Sequence, residues 1–212
     1  MILGDFIHEY KIDNYNEINL PVIMYLYELQ KQQPANDMIS NRRGWQKNHL
    51  ENKAQMQTLS QAIFSKFHDF VVQDLQPLHE VSVYLNNLFA NINAPGSYHV
   101  PHIHDSHWTG VYYLQAPEDC GDLCILKPHQ GPHQAQLAKL FASCRLEQNI
   151  KPRPGYGYFF PSHLVHYVEE NKNPQQTRIS LSYNITVKAK NEIPNDFSLN
   201  NSDICAPEDR GL

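Results

Sequence analysis

The sequence predicts a mainly β single domain, residues 1–190, with helices at its N-terminus and a polar tail at 191–212. Two stretches within a layer at 13–75 repeat apolar residues at helical spacing. A core at 80–188 then contains short strand candidates separated by turns rich in Pro, Gly, Asn and Asp. This order predicts helices packed against a small antiparallel sandwich or barrel.

The helical layer contains two amphipathic segments. The first runs from Asn14 to Gln33, and the second covers residues 52–75. Six apolar residues of the second segment share one face at intervals of three and four: Met56, Leu59, Ile63, Phe67, Phe70 and Val71. Such a face predicts a helix that packs on a sheet. Residues 38–50 are polar and predict irregular structure.

The β core contains eight strand candidates, at 81–93, 98–105, 110–115, 122–127, 145–150, 157–161, 165–169 and 178–188. Residues 2–10 add a possible first strand, and 131–144 form a helix or a loop. No internal repeat or linker divides the chain, so we expect one domain.

Composition excludes several classes of function. A net charge of −5 and the lack of a dense Lys/Arg run argue against nucleic-acid binding. The four cysteines form no CxxC pair, which argues against a zinc ribbon or a disulfide framework. The first residues lack the features of a signal peptide and no window is apolar enough for a membrane span, so we expect a cytoplasmic protein.

The candidate metal site begins in the stretch from His99 to His107, which contains four of the 12 histidines. His102 and His104 are two residues apart, so on a strand their imidazoles would point to the same side. Imidazole is a ligand for Fe, Zn, Cu and Ni. The best third ligand is His166, at the end of the stretch 159–166, and the three histidines predict one metal ion.

A polar row on the last strand supplies the second candidate feature. Arg178, Ser180, Ser182 and Asn184 alternate with Ile179, Leu181 and Tyr183. A polar row that faces solvent explains this pattern as well as one that points into a barrel. An inward row would need a polar ligand, and the guanidinium and hydroxyl of Arg178 and Ser180 suit a carboxylate.

The order of these motifs resembles the Fe(II)- and 2-oxoglutarate (2OG)-dependent oxygenases, and an uncharacterised branch of that superfamily in particular. The resemblance rests on four motifs between residues 38 and 187. They are Ser40-Asn41-x-x-Gly44-Trp45-Gln46, His102-x-His104 with Trp108-Thr-Gly-Val-Tyr-Tyr-Leu114, Phe160-Pro-x-x-x-x-His166 and Arg178-Ile-Ser180-x-Ser-x-Asn184.

The resemblance implies a double-stranded β-helix, that is, a cupin-like jelly roll, with Fe(II) at one mouth. It implies that Arg178 and Ser180 bind the far carboxylate of 2OG, assisted by Tyr113 and by Asn93 or Asn91. The implied reaction is hydroxylation of a C–H bond with O2 while 2OG is decarboxylated to succinate.

One ligand departs from the superfamily pattern, in which the second position of the first motif is Asp or Glu. Here that position is His104, and the adjacent carboxylate is Asp105. We expect a triad of three histidines. A set that contains Asp105 would require a β-bulge, because adjacent residues on a strand face opposite sides.

Two other functions remain open at this point. The histidine motifs also resemble those of a cupin metalloprotein that does not use 2OG, although Trp108-Thr109 stand where that family has a glutamate. A binding module with a degenerate site is the second alternative. The substrate is a small molecule or a peptide of unknown identity, and a homo-oligomer is compatible with the sequence.

Overall fold

The computed structural model describes residues 2–3, 7–35, 37, 39–127, 139 and 146–190. Over these residues the protein is mainly β, with two antiparallel sheets in a jelly-roll arrangement and two helices on the outer face of the larger sheet. The predicted fold class is therefore confirmed.

The two helices lie close to their predicted bounds. Helix α1 spans Tyr15–Gln32, and helix α2 spans Gln57–Phe70. A 3-10 turn at Ala54–Met56 precedes α2, and a π-helical turn at Val71–Leu75 follows it. The six apolar residues predicted to share a face of the second segment all lie in the core between helices and sheet.

Within the described part of the chain the strands form one sheet of seven and one of five, and the strand pairs found there are all antiparallel. The larger sheet has the order β1-β2-β10-β7-β12-β5-β4, from Ile2–Leu3, Ile7–Lys11, Tyr156–Pro161, Trp108–Gln115, Arg178–Ala189, Val81–Asn93 and Trp45–Lys47. The smaller sheet has the order β3-β6-β11-β8-β9, from Asn41–Arg42, Tyr98–His102, His166–Val168, Leu123–Leu126 and Glu147–Ile150.

Two hydrophobic clusters lie on opposite sides of the larger sheet. The larger cluster joins that sheet to the helices and includes Ile179, Leu181 and Tyr183 of β12. The smaller cluster lies between the sheets and includes Tyr113 and Phe160. Because side chains on a strand alternate, Arg178, Ser180 and Ser182 face the space between the sheets, where they line a cavity.

The short strands β3 and β4 were not predicted, because residues 38–50 lack a strand pattern. Asn41 pairs with His99 of the smaller sheet, and Trp45 pairs with Ile92 of the larger sheet. This segment therefore passes from one sheet to the other within a few residues. Arg43 turns the chain between them in the left-handed region, with φ of 61°.

Some sequence predictions fall outside the described residues. They are the helix or loop at 131–144, apart from Lys139, and the polar tail at 191–212. Of the cysteines, Cys120 and Cys124 are described, and both are buried free thiols. Among the described residues, no helix combines the length and the apolar character that crossing a bilayer requires.

Gly110 of β7 permits a close approach that any larger residue would block. A Cβ there would lie 2.3–2.5 Å from ring atoms and the hydroxyl of Tyr183. The Tyr183 ring is fully buried, and its hydroxyl shares a 2.8 Å hydrogen bond with that of Tyr10. We expect Gly110→Ala to lower the free energy of unfolding by about 1–3 kcal/mol, through overpacking.

A double-mutant cycle with Tyr183→Leu, measured by denaturant unfolding, identifies the cause. If the ring is the obstacle, the double variant loses less stability than the sum of the single variants, by about 1 kcal/mol. Additive losses would contradict this explanation.

Candidate metal and carboxylate site

Three histidines from separate positions in the chain converge on one point in the cavity. His102 ends β6, His104 follows two residues later, and His166 begins β11 opposite His102. One ring nitrogen of each lies within 4.8 Å of those of the other two. The ring centroids are 4.2 Å apart for His102 and His166, and 5.1 Å apart for each pair with His104.

Backbone carbonyls fix the tautomers of two of these rings. The Nδ1 of His102 lies 2.8 Å from the carbonyl of Val100, and that of His166 lies 2.9 Å from the carbonyl of Leu164. A carbonyl can only accept, so both Nδ1 atoms carry the proton and both Nε2 lone pairs remain free for a metal.

Burial favours the neutral form of all three imidazoles. Burial, together with the neighbouring His102, lowers the pKa of His166 to about 3 and that of His104 to about 4. Burial also lowers the pKa of His102, against the opposing effect of its hydrogen bond to Val100. Three neutral imidazoles near each other are the donor set that Fe or Zn accepts.

His104 does not lie on the strand that the sequence predicted for residues 98–105. Strand β6 ends at His102, and His104 is in the following loop. Its backbone N–H donates to the carbonyl of Ser162 at 3.0 Å, and the hydroxyls of Ser106 and Ser162 are 2.6 Å apart. These bonds hold the loop so that His104 still reaches the cluster, while Asp105 is exposed and outside it.

His99 was assigned only a flanking role from the sequence, but it is buried and lines the cavity. The pairing of β6 with β11 contains a register shift, because His166 opposes His102 whereas Val168 opposes His99. The extra residue in β6 is a bulge that brings His99 and His102 to the same side. The alternation of side chains along a strand could not by itself place His99 in the cavity, because the bulge changes that alternation.

Arg178 lies at the other end of the cavity and is almost completely buried. Its Nη1 donates to three backbone carbonyls, those of Cys120, Gly121 and Glu169. Its Nη2 is buried without a partner. Burial lowers the pKa of this guanidinium, and the polar groups of Tyr113 and Cys120 oppose that shift.

Tyr113 carries the second unpartnered polar atom of the cavity, because its buried hydroxyl has no hydrogen-bond partner among the described residues. Burial raises the pKa of this phenol, so the hydroxyl keeps its proton. Two unpartnered buried donors, on Tyr113 and Arg178, are costly unless a ligand accepts from them. The residues therefore fit a carboxylate, and Ser180 lines the same cavity.

Asn93, the other predicted carboxylate contact, makes hydrogen bonds within a buried polar network. Its Nδ2 donates to Oδ1 of Asn41 at 2.9 Å, and its Oδ1 is 3.3 Å from Nε2 of His99. The Nδ1 of His99 lies 3.1 Å from the hydroxyl of Ser40. Direct contact of Asn93 with a ligand stays a prediction, whereas the neighbouring Asn91 lines the cavity.

Gly44 is required by this network. A Cβ there would lie 2.4 Å from both Oδ1 of Asn41 and Nδ2 of Asn93. Asn41 of this motif donates to Asn91, which lies 50 residues later in the sequence. The motif thus supports the wall of the cavity. The period-two pair Asn91 and Asn93 signals an inward polar face, but its partners could not be inferred from the sequence.

One family model matches the chain, over residues 87–184, and it is described as "Putative 2OG-Fe(II) oxygenase". The match covers all seven residues predicted for the site: His102, His104, His166, Arg178, Ser180, Tyr113 and Asn93. No curated protein sequence matches the chain.

Solved structures with a similar fold include three prolyl hydroxylases. The viral collagen prolyl hydroxylase of Paramecium Bursaria Chlorella virus-1, in complex with 2OG, is 17% identical with a TM-score of 0.55, and the alignment covers 86% of this chain and 96% of that one. The Pseudomonas putida prolyl-4-hydroxylase is 13% identical with a TM-score of 0.60, covering 85% and 92%.

The third is the Trichoplax adhaerens prolyl hydroxylase in complex with a hypoxia inducible factor peptide fragment. It is 13% identical with a TM-score of 0.61, and the alignment covers 85% of this chain and 84% of that one. At these identities the three structures establish the shared fold. The likeness to the 2OG-Fe(II) oxygenase family therefore rests on the family model, which matches residues 87–184.

Proposed function

We propose that this protein is a non-haem Fe(II) oxygenase that hydroxylates a C–H bond of its substrate while 2OG is converted to succinate. His102, His104 and His166 hold the iron, and Arg178, Ser180 and Tyr113 hold the far carboxylate of 2OG. One observation carries the proposal. Two unpartnered buried donors, Arg178 Nη2 and Tyr113 Oη, line the same cavity as three converging imidazoles.

The bound iron would supply the oxygen chemistry, and the protein provides the environment for it. The carbonyls of Val100 and Leu164 keep Nε2 of His102 and His166 deprotonated and aimed at one point. Arg178 and Tyr113 would orient 2OG by its far carboxylate. Five apolar side chains line the space between these groups and would exclude water from it: Phe89, Val111, Leu123, Phe160 and Val168.

The cavity is narrow, with a free volume of about 30 Å³. Hydroxylation, rather than another 2OG-dependent oxidation, is favoured because the similar structures described above are prolyl hydroxylases.

Metal binding is tested by thermal unfolding with Mn(II) or Ni(II). At a metal concentration 100 times the dissociation constant, we expect stabilisation of wild type by about 2.7 kcal/mol. His166→Ala should lose this stabilisation because the triad loses a ligand. His107→Ala is the control, because His107 belongs to the same histidine-rich stretch but is exposed and outside the cluster. Equal stabilisation of all three proteins would contradict the metal site and favour a non-catalytic binding module.

Tyr113→Phe tests the carboxylate site through two quantities, the affinity for 2OG and the free energy of unfolding. We expect the affinity for 2OG, measured by calorimetry on the Mn(II)-loaded protein, to fall about 10- to 100-fold, because a hydrogen bond to a charged group is lost. The free energy of unfolding without 2OG should not fall, since the hydroxyl removed has no partner.

Tyr158→Phe is the matched control. Its ring is 6.5 Å from that of Tyr113, but its hydroxyl donates to Glu9 and it does not line the cavity. This variant should keep its affinity for 2OG and lose about 1 kcal/mol of stability. Wild-type protein that binds no 2OG would support the cupin alternative instead.

Turnover is tested by succinate release with candidate substrates under O2. We expect slow release by Fe(II)-loaded wild type without substrate and faster release when a true substrate is added. His166→Ala should release none in either condition. Succinate release by wild type when 2OG is omitted would refute the proposed reaction. Succinate release that persists in His166→Ala would refute it as well.

A further inference from the structure

The cavity contains positive charge without a carboxylate to balance it. Among the described residues that line it, the titratable ones are His99, His102, His104, Tyr113, His166 and Arg178, and none of them is a carboxylate. The imidazoles are neutral, so Arg178 is the charged member of this set. The groups that oppose the lowering of its pKa are a phenol and a thiol together with its own hydrogen bond to Cys120, not a carboxylate.

The acidic residues nearest in the chain do not compensate. Asp105 follows His104 but is exposed, where solvent screens its charge. Glu169 contributes only its backbone carbonyl to Arg178, and its carboxylate accepts the backbone N–H of Asp122 instead. Asp122 and Glu169 line a different pocket.

If the proposed function holds, the charges in the loaded cavity can be counted. A divalent iron and Arg178 supply three positive charges, and 2OG supplies two negative charges, which leaves an excess of one. A triad with one carboxylate would leave none. An unbalanced charge in a buried site is costly and attracts an ion of opposite sign.

We propose that the loaded cavity accepts one more singly charged anionic group beside the metal, on the side of His104 and Ser182. The group is either a carboxylate carried by the substrate or a small free anion. This inference rests on the proposed function. Where the anionic group belongs to the substrate, it narrows the substrate class to molecules with a carboxylate close to the carbon that reacts.

Ser182 is the polar contact for this anion. Its Oγ lies 3.4 Å from Nδ2 of Asn91, which is the donor of that bond, so the Ser182 hydroxyl proton remains available. Ser182 pairs across the sheet with Phe89, whose ring is 6.0 Å from that of His104. Along β12, Ser182 is therefore on the metal side of the cavity and Arg178 is on the carboxylate side.

The test uses Co(II)-loaded protein without O2, saturated with 2OG, and follows the visible spectrum of the metal during titration. The probes are acetate, chloride and acetamide, the last being a neutral molecule of the same shape as acetate. We expect acetate or chloride to bind at least about tenfold more tightly than acetamide, because only the anions cancel the excess charge. Ser182→Ala should weaken anion binding and leave the affinity for 2OG unchanged.

His104→Asp supplies the missing negative charge within the cluster, and it should abolish the preference for the anion over acetamide. Ile103→Asp is the control, since it adds the same charge at an exposed position one residue away. That variant should keep the preference. If His104→Asp does not retain Co(II), the wild-type and Ser182→Ala titrations decide the outcome.

The results distinguish a failure of this inference from a failure of the proposed function. Binding of 2OG without any preference for anions over acetamide would overturn the inference and leave the oxygenase intact. Failure to bind 2OG would overturn both. Tight binding of acetate but not chloride would identify a carboxylate of the substrate, and the reverse would identify a free anion.

Discussion

The cavity depends on the hydrogen bonds that hold the buried guanidinium of Arg178. A positive charge removed from water is tolerated only when hydrogen bonds replace its hydration. Three backbone carbonyls from two loops satisfy Nη1, and Nη2 is left for a ligand. The loops at Cys120–Gly121 and Glu169 must therefore meet behind the arginine. Gly121 permits that meeting, because a Cβ there would lie 2.4 Å from the carbonyl oxygen of Glu169.

The histidine cluster illustrates how irregular backbone can serve a metal site. A bulge in β6 turns His99 toward the cavity, and a loop after β6 carries His104. The two hydroxyls of Ser106 and Ser162 fasten that loop to the start of the turn before His166. Ligands from β6, the loop and β11 thus share a support, and displacement of one would displace the others.

Much of the fold could be predicted from the sequence because its signals are local. The apolar face of α2 and the alternation of β12 are set by neighbours a few residues away, and both were predicted correctly. The convergence of His102, His104 and His166 was also predicted, although the parity argument assumed a strand that ends before His104. The sequence could not reveal the network from Ser40 through His99 to Asn93, because it depends on pairings across 50 or more residues and on a bulge.

The way Arg178 is held has a consequence for how the sequence can vary. The protein partners of Arg178 are main-chain oxygens, which every amino acid supplies. Most side-chain substitutions at Cys120 or Glu169 would therefore preserve these hydrogen bonds. A change in loop length would not, because it would move the carbonyls themselves. Related sequences should therefore tolerate diversity of residue type in these two loops while keeping their lengths fixed, and alignments scored by identity would underestimate how conserved this part of the site is.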